Sequence, residues 1–290
     1  AGKAISTGVA NTILGGLAGD ALTTGGSNVA IGYNALTTED AHGLNVAIGF
    51  EALKTLNAGA DAYNTAAGYQ AGKSVTTGTF NTLIGGLAGD ALADADKNVA
   101  VGALALSTDT LGDKSTAVGY GALSTQNFSS SVTDTENTAV GHAAGSVLTT
   151  GIKNTLVGAG AGDAFTDADF NVAVGTNALG NDQKGNRNTA VGHGTLATQQ
   201  FSSSQDSGNT AVGFGAGNAI TDGVQNVFIG IDAAKNATTC NNVVAIGISA
   251  GGNSTLTGNN NVLVGNSAGA ELTSGVNNIV LGNDAGRAGK

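Results

Sequence analysis

The stretch NVAIG at residues 28–32 carries the pattern that decides the fold of this 290-residue chain. It is one copy of a string that reads Asn, then Thr or Val, then a variable residue, then usually Val, Ile or Leu, then Gly. The string recurs sixteen times, and eleven of the fifteen spacings between copies are 17 residues. Self-similarity at a short fixed period predicts a repeat architecture. The glycines that close the sixteen copies are Gly15, Gly32, Gly49, Gly68, Gly85, Gly102, Gly119, Gly141, Gly158, Gly175, Gly192, Gly213, Gly230, Gly247, Gly265 and Gly282.

Each repeat has fixed positions, numbered from its Asn as position 1. Gly occupies position 5 in all sixteen repeats, Ala occupies position 8 in fifteen, and Asn opens fourteen. Branched residues at positions 2 and 4 predict a short strand, and the polar, Gly-rich residues after position 9 predict turns. Seventeen residues cannot bury a core alone, but stacked copies can. The sequence therefore predicts an all-β parallel β-solenoid of about sixteen coils of ~17 residues.

The columns that such stacking creates have predicted structural roles. We expect the Asn side chains to form an amide ladder along the stack, and the position 5 Gly to occupy a tight corner or a positive φ. The Ala column has two interpretations: it packs inside the coil, or it allows close approach of a neighbouring chain or sheet. Representative structural repeat residues are Asn28, Gly32, Ala35, Asn137, Gly141, Ala144, Asn188 and Gly192.

A longer period groups the repeats into four blocks. We interpret residues 1–290 as a single repeat domain, with sixteen units from Asn11 to about Gly286. The blocks start near Asn11, Asn81, Asn154 and Asn226. An alternative fold makes each block one blade of a four-bladed β-propeller-like arrangement.

Composition excludes several classes of protein. Gly makes up 48 of the 290 residues, there is no Pro, and charged residues are 11%. Collagen requires Pro, and a disordered acidic chain requires more charge than this one carries. No apolar run reaches the ~18 residues of a membrane span, and the scattered basic residues of a chain with net charge −10 predict no nucleic-acid partner. A chain without Met is expected to be processed or a fragment.

The titratable residues predict no catalytic residue, no cofactor and no metal. His142 and His193 occupy position 6, a column of Tyr and Phe, and are expected to stack there, while His42 stands alone in a turn. The single cysteine, Cys240, is expected to be an unpaired small residue in a turn. Oxygen-rich turns can bind Ca²⁺, so two Asp-x-Asp pairs are weak candidates against the alternative of solvated acidic turns. The pairs are Asp94 with Asp96 and Asp167 with Asp169.

Three expanded segments, at 56–63, 126–136 and 199–208, are the candidate recognition sites. Expansions of a solenoid project from one face and often carry binding. Two of them contain Phe-Ser-Ser-Ser, which predicts an aromatic platform for a sugar or protein surface at Phe128, Ser129, Phe201 and Ser202. The alternative is that each Phe tucks back against the coils as a loop anchor.

Three stretches carry a family resemblance: NVAIGYNAL at 28–36, STAVGYGAL at 115–123 and NTAVGHAAG at 137–145. They resemble the YadA-like head repeats of trimeric autotransporter adhesins and related repeats of phage tail fibres and other bacterial trimeric fibres. The similarity runs from Asn11 to about Gly286. It implies a left-handed β-roll, a homotrimer, a host-surface protein or glycan as partner, and a location that is extracellular, on a cell surface or on a virion. Adhesin repeats are usually nearer fourteen residues.

Three functions are therefore considered. The leading hypothesis is a non-enzymatic structural and adhesive fibre module, the head or shaft of an adhesin or phage tail fibre. An ice-binding β-solenoid is the alternative, motivated by flat faces with Thr and Asn columns. A hexapeptide-type acyltransferase is less favoured, because its 18-residue coil does not match a 17-residue repeat and no His lies in a suitable insertion.

Overall fold

The computed structural model describes residues 1–286, and in this range the chain is an all-β parallel β-solenoid without a helix. Each coil of about 17 residues contributes one three-residue strand. The chain divides into two compact units, Ala1–Thr150 and Gly151–Lys290. The unit boundary falls between the eighth and ninth repeats, so that each unit contains two of the four sequence blocks.

The first unit contains ten strands, eight of them from the repeated string. These are β1 Thr12–Leu14, β2 Val29–Ile31, β3 Val46–Ile48, β4 Thr65–Ala67, β5 Thr82–Ile84, β6 Val99–Val101, β7 Gly112–Asp113, β8 Thr116–Val118, β9 Thr133–Asp134 and β10 Thr138–Val140. The second unit has the same organisation. Its strands are β11 Thr155–Val157, β12 Val172–Val174, β13 Gly185–Asn186, β14 Thr189–Val191, β15 Gln205–Asp206, β16 Thr210–Val212, β17 Val227–Ile229, β18 Val244–Ile246, β19 Val262–Val264 and β20 Ile279–Leu281.

Pairing is parallel, and it joins each repeat to the next at the same position. In the first unit, for example, Val29 pairs with Val46 and Ile31 with Ile48. The second unit repeats this register, with Val172 opposite Thr189. Propeller blades would require four-stranded sheets within each block, so the propeller alternative is wrong.

Except in β1 and β20, the strands bury the position 3 side chain, whether it is Ala or a larger residue such as Leu83 or Phe228. The position 3 residues Ala30 and Ala47 are completely buried, whereas position 4 residues such as Ile48 lie at the surface. At position 8, Ala18, Ala35, Ala52, Ala71 and Ala88 are completely buried within their own chain, as is Ala144. The Ala column therefore packs inside the coil, and it is not available for close approach of a second chain. The narrow interior is filled out by leucines such as Leu36 and Leu53.

The Gly at position 5 stands where no other residue fits. Gly32, Gly141 and Gly192 have φ of 131°, 143° and 135°, a region that residues with a Cβ rarely adopt. A Cβ on Gly32 would lie 2.3 Å from the carbonyl oxygen of Gly49 in the next coil. The predicted corner is thus also a close backbone approach between neighbouring coils.

Positions 7 and 9 are left-handed in all sixteen repeats, whether or not they are glycine. Asn34 has φ 57° and Leu36 has φ 50°. Because positions 7 and 9 are left-handed on either side of position 8, their backbone N–H groups point in opposite directions along the stack. Asn34 N–H donates to Gly16 O in the preceding coil at 3.0 Å, and Leu36 N–H donates to Ala52 O in the following coil at 3.0 Å. These bonds between coils offset the backbone strain of about 1–2 kcal/mol per left-handed residue.

The Asn column is a buried ladder, although its bonds run mostly to backbone. Asn28 Oδ1 accepts from Asn45 N–H at 3.1 Å, and Asn28 Nδ2 donates to the carbonyl of His42 at 3.1 Å. Asn188 donates both its N–H and its Nδ2 to Asn171 Oδ1, at 2.9 and 3.1 Å. Each amide thereby fixes the register of the next coil.

Candidate functional site

The outward side of the strands carries a regular row of exposed apolar side chains in each unit. We call it the strand face and define it as the side chains at positions 2 and 4 of each repeat with those at position 6. In the first unit Leu14, Ile48, Ile84 and Val140 are between 37% and 66% exposed at position 4. In the second unit Val212 and Ile229 occupy the same position at 37% and 38%. Branched residues on a pleated surface normally pack against a partner.

The position 6 column is aromatic over several coils, and its rings stack on one another. Phe50 lies between Tyr33 and Tyr69, with ring centroids 5.7 and 5.4 Å apart. His142 stacks on Tyr120 at 5.5 Å, and in the second unit His193 stacks on Phe214 at 5.2 Å. The predicted stacking role of both histidines is confirmed. Because the ring faces contact each other, it is mainly the ring edges that are exposed.

No charged residue occupies positions 1 to 4 or position 6 in any repeat. The charges lie elsewhere on the coils, where several are paired. Glu51 contacts Lys54 at 2.7 Å and Lys73 at 3.4 Å. The hydrogen bond from Lys54, followed by that from Gln70, lowers the pKa of Glu51 to about 2. The strand face is therefore electrostatically neutral and bordered by charge.

Thr residues on the strand face do not form a long array. In chain order, position 2 holds Thr in runs of at most three repeats, separated by Val; the longest run is Thr116, Thr138 and Thr155. An ice-binding surface built on Thr would therefore be interrupted after at most three consecutive repeats.

The second and third expanded segments each add a short strand and close over a buried carboxylate. The strand β9 of segment 126–136 pairs with β7, and β15 of segment 199–208 pairs with β13. Asp109 is completely buried, and its carboxylate accepts from Gln126 Nε2 at 2.5 Å and Phe128 N–H at 3.0 Å. Gln126 Oε1 in turn accepts from Asn137 Nδ2 at 2.9 Å. The segment is thus bonded to the Asn ladder.

The same network recurs in the second unit. Asp182 accepts from Gln199 Nε2 at 2.6 Å and from Phe201 N–H at 3.2 Å, and Asn209 Nδ2 donates to Gln199 Oε1 at 2.8 Å. Burial raises the pKa of Asp182, and the hydrogen bonds oppose that shift only in part. Sequence reasoning missed these pairs, although Asp and Gln separated by 17 residues in two blocks were a detectable signal.

The residues predicted to form a recognition platform lie in different environments. Phe201 is 9% exposed, and its ring packs so close to Gly185 that a Cβ there would be 2.9 Å from it. Phe128 is half-buried, while Ser129 and Ser202 are exposed. Burial of Phe201 favours the loop-anchor alternative at that position, while Ser129 and Ser202 are among the exposed residues of their segments.

The carboxylates of the two Asp-x-Asp pairs are engaged by groups of neighbouring coils: three accept hydrogen bonds and one faces a lysine. Asp96 Oδ1 accepts from the N–H and hydroxyl of Thr79 at 2.7 and 2.9 Å, and Asp94 Oδ1 accepts from Thr77 Oγ1 at 2.5 Å. Asp169 Oδ1 accepts from Ile152 N–H at 2.8 Å, and Asp167 faces Lys184 at 3.4 Å. These contacts are those of turn residues that link coils.

Cys240 is buried and free, and burial raises the pKa of its thiol to about 12. Within residues 1–286 no helix has the length and hydrophobicity that a membrane crossing requires. The chain matches no protein-family model, and a search of curated proteins finds no match.

Proposed function

We propose that this chain is a non-enzymatic structural and adhesive fibre module that associates as a homotrimer through its strand face. The observation that supports the proposal is the strand face itself, which is apolar, uncharged and regular. The trimer, the adhesive role and a location outside the cell, on a cell surface or on a virion, are what the resemblance to trimeric adhesin head repeats implies.

Size and chemistry of the strand face suit an interface between copies of the chain. Eight strands at ~4.8 Å spacing, each contributing ~13 Å of width, give roughly 450 Å² in each unit. That area in one unit is about half of what one partner contributes to a standard stable interface. Each of the two units offers a face of this size, and the absence of charge avoids the desolvation cost of burying ions.

Self-association is tested by the molar mass of the purified chain, measured by light scattering and native mass spectrometry over a range of concentrations. We expect three chains. The variant Val140→Asp puts a charge on the strand face and is expected to give a monomer. The matched control is Val147→Asp in the same coil, since Val147 is 45% exposed but lies off the strand face; it should remain a trimer.

A parent protein of one or two chains would contradict the trimer. Dissociation of both variants alike would show that the strand face has no special role. Circular dichroism of each variant establishes that the coils remain folded, and Val140→Thr preserves the branched shape as a second control.

The adhesive surface is assigned to the second and third expanded segments, whose serines stay exposed. A glycan array probed with the assembled protein tests this assignment. The double variant Ser129→Ala with Ser202→Ala is expected to lose at least about tenfold of the array signal. Ser274→Ala, another exposed serine, serves as the control. Equal binding by the double variant, or no bound glycan, would contradict recognition of glycans by these segments.

A further inference from the structure

The first block differs from the second and third blocks at the turn that contacts its expanded segment. Glu39 occupies the place of Asp109 and Asp182, and like them it is completely buried. The Gln that donates to the carboxylate in those two blocks is replaced by Leu56, and the Gly that follows the carboxylate by three residues is replaced by His42. Loss of the Gln donor coincides with the gain of an imidazole.

Three potential ligands meet at this turn. One ligand atom each of Glu39, Asp40 and His42 lie within 4.8 Å of one another, and no other such group of three is found in residues 1–286. Nδ1 of His42 is shielded from solvent and makes no hydrogen bond, although it lies 3.4 Å from Glu39 Oε1. A buried ring nitrogen without a partner needs a proton acceptor, a donor or a metal ion to satisfy it.

The surrounding bonds hold the carboxylate in place for such an ion. Glu39 Oε1 accepts from His42 N–H at 3.1 Å, and its Oε2 accepts from Ala58 N–H at 3.4 Å. Asp61 Oδ1 accepts from Gly43 N–H at 2.9 Å, which ties the same turn to the segment 56–63. Asp40 is exposed, so a metal ion could reach the three ligands from solvent on its side of the turn.

We propose that Glu39, Asp40 and His42 form a binding site for a divalent transition metal of the Zn²⁺ type. One imidazole nitrogen and two carboxylates suit Zn²⁺ better than Ca²⁺ or Mg²⁺, which prefer oxygen ligands alone. Two carboxylates balance the ionic charge, and water completes the coordination. Since Ala58 and Asp61 bond to this turn, the ion would stiffen the first expanded segment, where the second and third blocks use a Gln.

The test uses the untagged full chain, freed of metal by chelator, and titrated with Zn²⁺ in a competition assay with a chromogenic chelator. We expect one Zn²⁺ per chain and a Co²⁺ adduct with visible absorption bands. The variant His42→Gly restores the residue found at this place in the other two blocks, so the fold has a precedent for it. It should weaken Zn²⁺ binding at least about tenfold, because removal of groups that merely support a ligand already costs that much.

The control is His142→Gln, which removes a histidine elsewhere and should bind Zn²⁺ as the parent does. Unchanged Zn²⁺ affinity in His42→Gly, equal loss in His142→Gln, or no Zn²⁺ binding by the parent would each overturn the proposal. The readout is independent of oligomeric state, so a monomeric chain that binds Zn²⁺ through His42 would contradict the proposed fibre function and leave this site standing.

Discussion

Replacing one glycine of a neighbouring pair tests the corner on which the coil depends. Gly85 has φ 137°, and a Cβ there would lie 2.5 Å from the carbonyl oxygen of Gly102 in the next coil. The adjacent Gly86 has no atom within 4 Å of a Cβ. Gly85→Ala should therefore be strongly destabilising, whereas Gly86→Ala should be neutral or slightly stabilising through the lower entropy of the unfolded chain.

The magnitude for Gly85→Ala has two parts. A residue with a Cβ in this region of φ costs about 1–3 kcal/mol. The clash also pushes apart two coils that are joined beside it by the bond from Gly102 N–H to Ile84 O at 2.7 Å. Loss of one such buried bond costs about 1–3 kcal/mol more. The expected total is about 2–6 kcal/mol, against a gain of up to about 1 kcal/mol for Gly86→Ala.

Urea unfolding followed by circular dichroism measures both variants against the parent at one protein concentration. Repeat proteins lose cooperativity between distant coils, so hydrogen exchange of the coils flanking Gly85 provides a local readout. If Gly85→Ala unfolds within about 0.5 kcal/mol of Gly86→Ala, the close approach of the corner does not stabilise the stack and the reasoning fails.

Two further predictions concern the buried carboxylates. Gln199→Leu leaves the Asp182 carboxylate without its side-chain donor and should cost about 2–3 kcal/mol in urea unfolding, whereas the exposed neighbour variant Gln200→Leu should be close to neutral. Burial raises the pKa of Asp182 above its ordinary value of 3.8, so its protonated form favours the folded state. Its contribution is full below the ordinary pKa and is lost as pH rises through the raised one. Glu51, with its pKa lowered to about 2, acts in the opposite sense, because its stabilisation is present above the ordinary value of 4.5 and is lost as pH falls toward 2. The melting temperature of the parent should therefore rise when the pH is lowered mildly from neutral, because of Asp182, and fall in strong acid, because of Glu51. Asp182→Asn should reduce the gain, and an unchanged profile would contradict the assignment.

Much of the coil could be predicted from the sequence because its column residues are chemically constrained. Only Gly tolerates the corner at Gly32, and only a short amide side chain reaches both neighbours as Asn28 does. The left-handed positions 7 and 9 could not be predicted, since Asn34 and Leu36 are ordinary residues there and the stack itself imposes their φ. Hydrophobicity also misleads on the strand, where Ala30 is inside and Ile31 points outward.

The candidate sites were less predictable, because they depend on side chains brought together by stacking. Phe201 carries no local mark of whether its ring faces solvent or the coil, and its burial depends on packing against Gly185. The turn at His42 looks isolated along the sequence, yet the structure surrounds it with Glu39 and with bonds from the first expanded segment. A contact between coils leaves no mark within a single repeat, and only comparison of the blocks, as for Asp182 and Gln199, carries a signal in the sequence.

The one-repeat register makes the length of each unit adjustable in whole steps. Deleting residues 28–44 would bring Asn45 to the place of Asn28 and present Val46 to Thr12, where Val29 now pairs. Every column would be continuous across the junction, and the unit would shorten by one strand spacing of ~4.8 Å. Deleting sixteen or eighteen residues would instead move the corner glycine off its neighbour and reverse which strand side chains face inward. Duplication or loss of DNA in multiples of one repeat can thus change the length of a unit while its Asn, Gly and Ala columns stay in register.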